Sequence, residues 1–136
     1  MEVHGYNVPE GLLYTKEHEW AKQEGSVVRI GITDYAAKTL NDVVYVASPG
    51  KGAKVERTKS MGTVESIKAV SEVYSPISGT VAEVNGQLDS HPELINKSPY
   101  EEGWVVEVTP SDFAAESKTL LDAKAYADYL RTLLAK

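Results

Sequence analysis

Apolar and polar residues alternate in short runs over most of the chain, and a turn residue closes each run. In "HEWAKQEGSVVRIGI", Trp20 stands on one arm and Val28, Ile30 and Ile32 alternate on the other, with Gly25 between them, which predicts a β-hairpin. "DVVYVASPGKG" is a β-branched run halted by Pro49, Gly50 and Gly52. "GTVAEVN" and "GWVVEVTP" alternate in the same way, whereas "SHPELINKSPY" has the proline spacing of an irregular connection with at most one helical turn. Two stretches carry the helical period instead. "TDYAAKTL" predicts a brief helix capped by Thr33 or Asp34. Near the C-terminus, Asp122 caps a helix whose Ala123, Tyr126, Leu130, Leu133 and Leu134 form one apolar stripe, suited to packing on the body of the protein.

One stretch fits neither description. "GTVESIKAVSEVYSP", Gly62 to Pro76, has no Gly, Pro, Asn or Asp between its ends, so nothing in it announces a turn. As a single strand, Thr63 to Tyr74 exceeds the usual length of roughly 3 to 10 residues. Val64, Ile67, Ala69, Val70, Val73 and Tyr74 come near the helical template, so periodicity predicts an amphipathic helix with Lys68 near its middle. The flanks carry a faint echo. Ser48-Pro49 with Gly52 recurs as Ser75-Pro76 with Gly79, each after a Val-Tyr pair, which predicts two similar half-sheets related by a local twofold and joined at a tip near Lys68.

Composition narrows the function. With 136 residues the chain has the length of one domain, and a domain of that size buries roughly two thirds of the surface its unfolded chain exposes. The absence of cysteine removes disulfides, thiol nucleophiles and cysteine metal sites together. A formal charge of -6 speaks against a nucleic-acid partner and fits either plain solubility or a basic docking partner. No run of about 18 apolar residues occurs, and the N-terminal stretch has neither a cationic apolar signal nor the features of a transit peptide. The expected location is therefore the cytoplasm of a prokaryotic cell, with no membrane partner. Catalysis by the chain itself finds no foothold: His4, His18 and His91 are scattered, and neither a G-x-S-x-G elbow nor a Gly-rich phosphate loop is present.

The order of short motifs resembles the H-protein family of the glycine cleavage system. "YTKEHEW", "GITDYA", "GTVESIKAVSEVYSPISGTVAEVN", "PELIN" and "SPYEEGW" stand in that family's order and span nearly the whole chain. Lys68 has Glu65 three residues before it, Ala69 one after, Pro76 eight after and Gly79 eleven after, a spacing similar to the family's attachment motif. The resemblance implies a mostly β fold, a barrel-sandwich hybrid of the lipoyl/biotinyl type with a short internal helix and a C-terminal helix. It implies a single carrier domain over residues 1–136, with a core over about 12–110 and a helical extension over about 111–136. It further implies that Lys68 occupies an exposed hairpin tip and is amide-linked to lipoic acid, with two strands in place of the helix that periodicity predicts. Biotinylated domains set their lysine between two methionines; Ile67 and Ala69 stand here, which favours lipoate.

By the same resemblance the protein is a carrier and not an enzyme. A pyridoxal-phosphate-dependent glycine decarboxylase (P-protein) would load the arm with the aminomethyl group of glycine. An aminomethyltransferase (T-protein) would pass the carbon to tetrahydrofolate, dihydrolipoyl dehydrogenase (L-protein) would reoxidise the arm, and a lipoate ligase or octanoyl transferase would attach it. The family shelters the loaded arm in a cleft, and the matching residues here are His18, Glu19 and Glu72, the last at a place where Asp is more common. His18 has a second reading, as a core histidine with satisfied nitrogens. Asn41 stands where the family usually has Gly, which predicts a positive φ at a helix end. Lys51, Lys54, Arg57 and Lys59 cluster where acidic residues are common, which alters the docking face. Two other readings share the attachment motif: a lipoyl relay or storage protein, and a lipoyl domain cut from a dihydrolipoyl acyltransferase. The second lacks its Ala/Pro linker here and ends in a helix.

Overall fold

In the computed structural model, which describes residues 1–135, the chain opens with three short strands, β1 (Glu2–Val3), β2 (Tyr6–Asn7) and β3 (Leu13–Tyr14). The hairpin β4 (Glu19–Glu24) and β5 (Val27–Ile32) leads to helix α1 (Asp34–Leu40) and strand β6 (Val43–Ala47). Strands β7 (Lys54–Val55), β8 (Ser60–Ser66), β9 (Val70–Tyr74) and β10 (Gly79–Val84) follow, then the one-turn helices α2 (Gln87–Ser90) and α3 (Leu94–Lys97). Strand β11 (Val106–Pro110), the one-turn helix α4 (Phe113–Glu116) and the long helix α5 (Ala123–Leu134) complete the described chain.

Three antiparallel sheets result: β1-β2, the six-stranded β3-β4-β5-β11-β10-β7, and the three-stranded β6-β8-β9. Strand alternation decides what each sheet buries. Ala21, Val28, Ile30, Val81, Val106 and Val108 of the large sheet share one apolar cluster with Val46, Val64 and Val73 of the small one, so the two sheets close over a common core. Trp20, one residue before Ala21, points the opposite way and joins Tyr14, Tyr126, Ala127 and Leu130 in a second cluster beneath α5. The Trp20 ring lies on the backbone of Gly31, its cross-strand neighbour, where any Cβ would collide with the indole, and its Nε1 donates to the Pro99 carbonyl at 3.0 Å.

The caps follow local chemistry. Thr33 Oγ1 accepts from the Ala36 amide at the start of α1, and Asp122 accepts from the Ala125 amide at 2.8 Å at the start of α5. Asn41 ends α1 with φ 64°, the positive value expected of it. The two Ser-Pro corners lead into β7 and β10, which pair antiparallel within the six-stranded sheet; the two main sheets have six and three strands and are not the similar half-sheets expected.

The helix predicted over residues 63–74 is corrected by strands β8 and β9 on either side of a tight turn. Val64 and Val73 point into the core while Ile67 and Val70 point out, so the apolar residues belong to two period-two elements whose phase resets at the turn. Their combined spacing imitated a helix.

Candidate functional site

Residues Ile67 to Val70 form the exposed end of the β8–β9 hairpin. Its turn needs neither Gly nor Asn, because no residue of Ser66–Ala69 takes a positive φ. Ser66 shapes it instead. Its hydroxyl, on a residue only 7% exposed, accepts from the amides of Lys68 at 3.2 Å and Ala69 at 3.1 Å, while its own amide donates to the Ala69 carbonyl at 2.8 Å. The Ile67 amide donates to the Asp42 carbonyl at 3.2 Å, which ties the tip to the start of β6. Serine is a turn former, but Ser66 alone does not mark the bend in the sequence, because Ser71 offers the same signal five residues on and no Gly, Pro, Asn or Asp accompanies either.

Lys68 projects from that tip and, among the described residues, forms no ion pair. Glu65 lies one step back on β8, half-buried, opposite Val70 on β9 and Tyr45 on β6. Ala69 closes the turn. Gly79 is far from the tip in the fold: it opens β10 between β7 and β11, where a Cβ would run into the Thr109 carbonyl and the Val108 side chain. Its place in the motif is thus explained by close strand packing.

At the root of the hairpin lies a cleft of about 360 Å³ lined by Thr15, Glu19, Arg57, Thr58, Tyr74 and Leu120, among others. Glu19 is 1% exposed and is held from two sides. One carboxylate oxygen accepts from the Thr15 hydroxyl at 2.6 Å and the other from the Tyr74 amide of β9 at 3.1 Å, so this single side chain links the two large sheets. Burial pushes its pKa up to about 7, against the pull of the Thr15 and Tyr74 hydrogen bonds. Thr15 and Tyr74 escaped sequence reasoning because their meeting with Glu19 is a tertiary contact with no local signature.

The three residues expected to shelter an arm separate in the structure. Glu19 is in the cleft. Glu72 is exposed on β9, where its carboxylate accepts from Ser60 Oγ at 2.9 Å, on the outer face between the tip and Tyr74. His18 does not line the cleft: with φ 72° it turns away from Glu19, and its Nδ1 lies 2.7 Å from the Tyr126 hydroxyl, against the rings of Tyr35 and Tyr129. Burial there lowers its pKa to about 4, so the ring is neutral at pH 7. Its second reading, a core histidine with satisfied nitrogens, is met only in part: the ring is half-buried and Nδ1 has the Tyr126 hydroxyl as its partner. Of the basic residues expected to cluster, Lys51 pairs with Glu83 at 2.8 Å and Arg57 lies 3.7 Å from Glu116, while Arg57 also borders the cleft. No helix among the described residues is long and apolar enough to cross a membrane.

Comparison with known proteins places this geometry in context. The family model described as glycine cleavage H-protein matches residues 12–133. A protein of Pyrococcus furiosus named as a probable glycine cleavage system H protein is 52% identical over 134 residues, 98% of this chain and 99% of its own length. The glycine cleavage system H protein of Geobacillus kaustophilus is 53% identical over 120 residues, 88% of this chain and 94% of its own. The crystal structure of a glycine cleavage system H protein from Mycobacterium marinum superposes with a TM-score of 0.80 at 36% identity, covering 90% of this chain and 98% of that one. The mostly β, barrel-sandwich architecture is shared.

Proposed function

From the premise that this chain belongs to the glycine cleavage H-protein family and is a component of the glycine cleavage system, we propose that it is a non-catalytic carrier domain whose Lys68 bears lipoic acid through an amide. The observation that carries this reading is the position of Lys68 at the exposed end of a hairpin, free of any ion pair among the described residues. The tip suits an attached group, since the lysine stem meets no packed neighbour that acylation would displace. Amide formation removes one positive charge and takes the formal total from -6 to -7. Lys68 would hold the lipoyl group, which would supply a disulfide able to take up the aminomethyl unit of glycine from the P-protein, release it to tetrahydrofolate on the T-protein and be reoxidised by the L-protein.

The chain's own residues hold, orient and shield. Tyr74 ends β9 four residues beyond Val70, about 13 Å along the strand from the tip, so an arm that turns back follows the outer face past Val70 and Glu72 before it meets the cleft. There Glu19 still has lone pairs free after accepting from Thr15 and Tyr74, and they suit an ammonium. A cation beside it favours the ionised carboxylate over the neutral form that burial promotes. Closing the cleft over such a group keeps water from it.

The experiment incubates lipoate-loaded protein with glycine and glycine decarboxylase and follows release of CO2 with the mass of the protein. The carrier reading predicts a gain of one aminomethyl group per chain. A lipoate relay or storage protein, the second reading, takes up lipoate but gains nothing from glycine, and that result overturns the proposal.

A further inference from the structure

Four of the five large hydrophobic side chains exposed among the described residues surround Lys68: Ile67 at 72%, Val70 at 60%, Tyr45 at 56% and Val44 at 49%. Strand geometry brings them together. Tyr45, Glu65 and Val70 sit in one row across β6, β8 and β9 and so share the outer face, with strands about 4.8 Å apart. A register slip between Val43 and Tyr45 inserts Val44 into β6, so two consecutive residues stay exposed where strict alternation would bury one. The carboxylates of Glu65 and Glu72 stand on this same face, and Asp42 borders the tip through its bond to the Ile67 amide. An apolar patch rimmed by charge marks a docking surface.

We propose that this collar of Val44, Tyr45, Ile67 and Val70 is the docking surface for the enzyme that acylates Lys68, which meets it with an apolar mouth rimmed by cationic side chains. The inference rests on the reading of Lys68 as the attachment point. Reach selects this partner over the others. The amine stands only a four-carbon stem from the tip, so an enzyme that forms a bond at Nζ must cover the residues beside it. Enzymes that work at the far end of a loaded arm have no such need. Charge agrees, since the Glu65 and Glu72 carboxylates on the collar's face select a basic rim. In the step served by this contact, Nζ attacks the carbonyl carbon of an acyl adenylate. The amide bond forms, the bond from that carbon to the phosphate oxygen breaks, AMP leaves, and the amine proton passes to a base of the enzyme. Covering the collar excludes water from the attack.

The test uses unmodified full-length protein with lipoate, ATP, magnesium and a lipoate ligase, and follows intact mass over time. Tyr45→Lys and Val70→Lys are each expected to slow acylation about tenfold or more, the effect of losing one well-packed interface anchor, while Tyr45→Phe stays near wild type. After excess ligase has fully loaded Tyr45→Lys, whose substituted residue on β6 lies off the path of the returning arm, reduction of the arm by dihydrolipoyl dehydrogenase and uptake of the aminomethyl group are expected to proceed at the wild-type rate. The thermal midpoints of both lysine variants, expected to match wild type at these exposed positions, separate a docking defect from misfolding. Wild-type acylation rates in both variants overturn the proposal. Arm reactions that slow as much as acylation assign the collar to the other enzymes and overturn it too, as does a wild-type dimer that the lysine variants dissolve. If wild-type protein is not acylated at all, the reading of Lys68 fails first, a distinguishable result.

Discussion

At the tip of the β8–β9 hairpin Ile67 to Val70 are exposed and one hydroxyl, that of Ser66, closes the turn; at its root Glu19 is buried and bonded both to Thr15 and to β9. The tip is held by the Ser66 hydroxyl and by backbone bonds, including that from the Ile67 amide to Asp42, so its exposed side chains change without disturbing the core. At the root, one carboxylate serves a linkage between sheets and also faces the cleft, so a change there moves stability and function together. The carrier role proposed above would use both: the unconstrained tip as the attachment point and the rigid root as the place to which a load returns.

The largest effect expected is also the cleanest break between the two ends. Lys68→Arg keeps charge and length but removes the acylable amine, so lipoate incorporation measured by mass falls to nothing while the thermal midpoint stays that of wild type. A midpoint that drops would mean that Lys68 is structural. Glu19→Ala acts oppositely. It leaves the Tyr74 amide and the Thr15 hydroxyl without their acceptor and costs about 1 to 3 kcal/mol in denaturant unfolding. Acylation should persist, and the loaded arm should release formaldehyde faster than in wild type. Decay at the wild-type rate would remove Glu19 from the sheltering role.

The pH dependence sharpens the same contrast, because Glu19 and His18 are neighbours with opposite shifts. Burial raises the Glu19 pKa from 4.5 to about 7, so the fold holds its proton more tightly than the unfolded chain does, and stability falls as pH rises across that window. Burial lowers His18 from 6.5 to about 4, so its contribution is intact above 6.5 and is lost as pH falls toward 4. Between pH 4.5 and 6.5 the two slopes oppose each other. Thermal midpoints of Glu19→Gln should therefore decline on acidification more steeply than wild type, and those of His18→Gln should decline on alkalinisation through the same range. Parallel profiles for all three proteins would show that neither group is buried in solution. Smallest is Ser66→Ala, which removes the three hydrogen bonds of one hydroxyl at the turn and should cost about 1 kcal/mol while slowing acylation only modestly; a loss of acylation as complete as that of Lys68→Arg would mean that the turn geometry is itself the recognition element.

What could be read in the chain beforehand divides along the same line. The β4–β5 hairpin, the cap of α5 and the positive φ of Asn41 follow from local chemistry and stand in the structure, as does the α5 stripe except for Leu134, which joins neither apolar cluster. Lys68 was singled out by the motif around it, yet periodicity placed it on a helix, since two short strands with a phase reset mimic a spacing of three and four. The short elements β1, β2, α2 and α4 left no readable period. At the root, Glu19 was legible only through resemblance. Its partners come from Thr15 and from Tyr74, 55 residues away, and no pattern of period two or 3.6 reports such a meeting. His18 fell on the wrong side for a simple reason: at its positive φ, adjacency in sequence with Glu19 does not become adjacency in space.

Intact-mass and peptide mapping of protein produced with lipoate and a lipoate ligase bears most directly on the central claim. One lipoyl group per chain, on the peptide that contains Lys68, is the predicted result. A chain that stays unmodified, or one that carries the group on Lys51, Lys54, Lys59 or any other lysine, contradicts it.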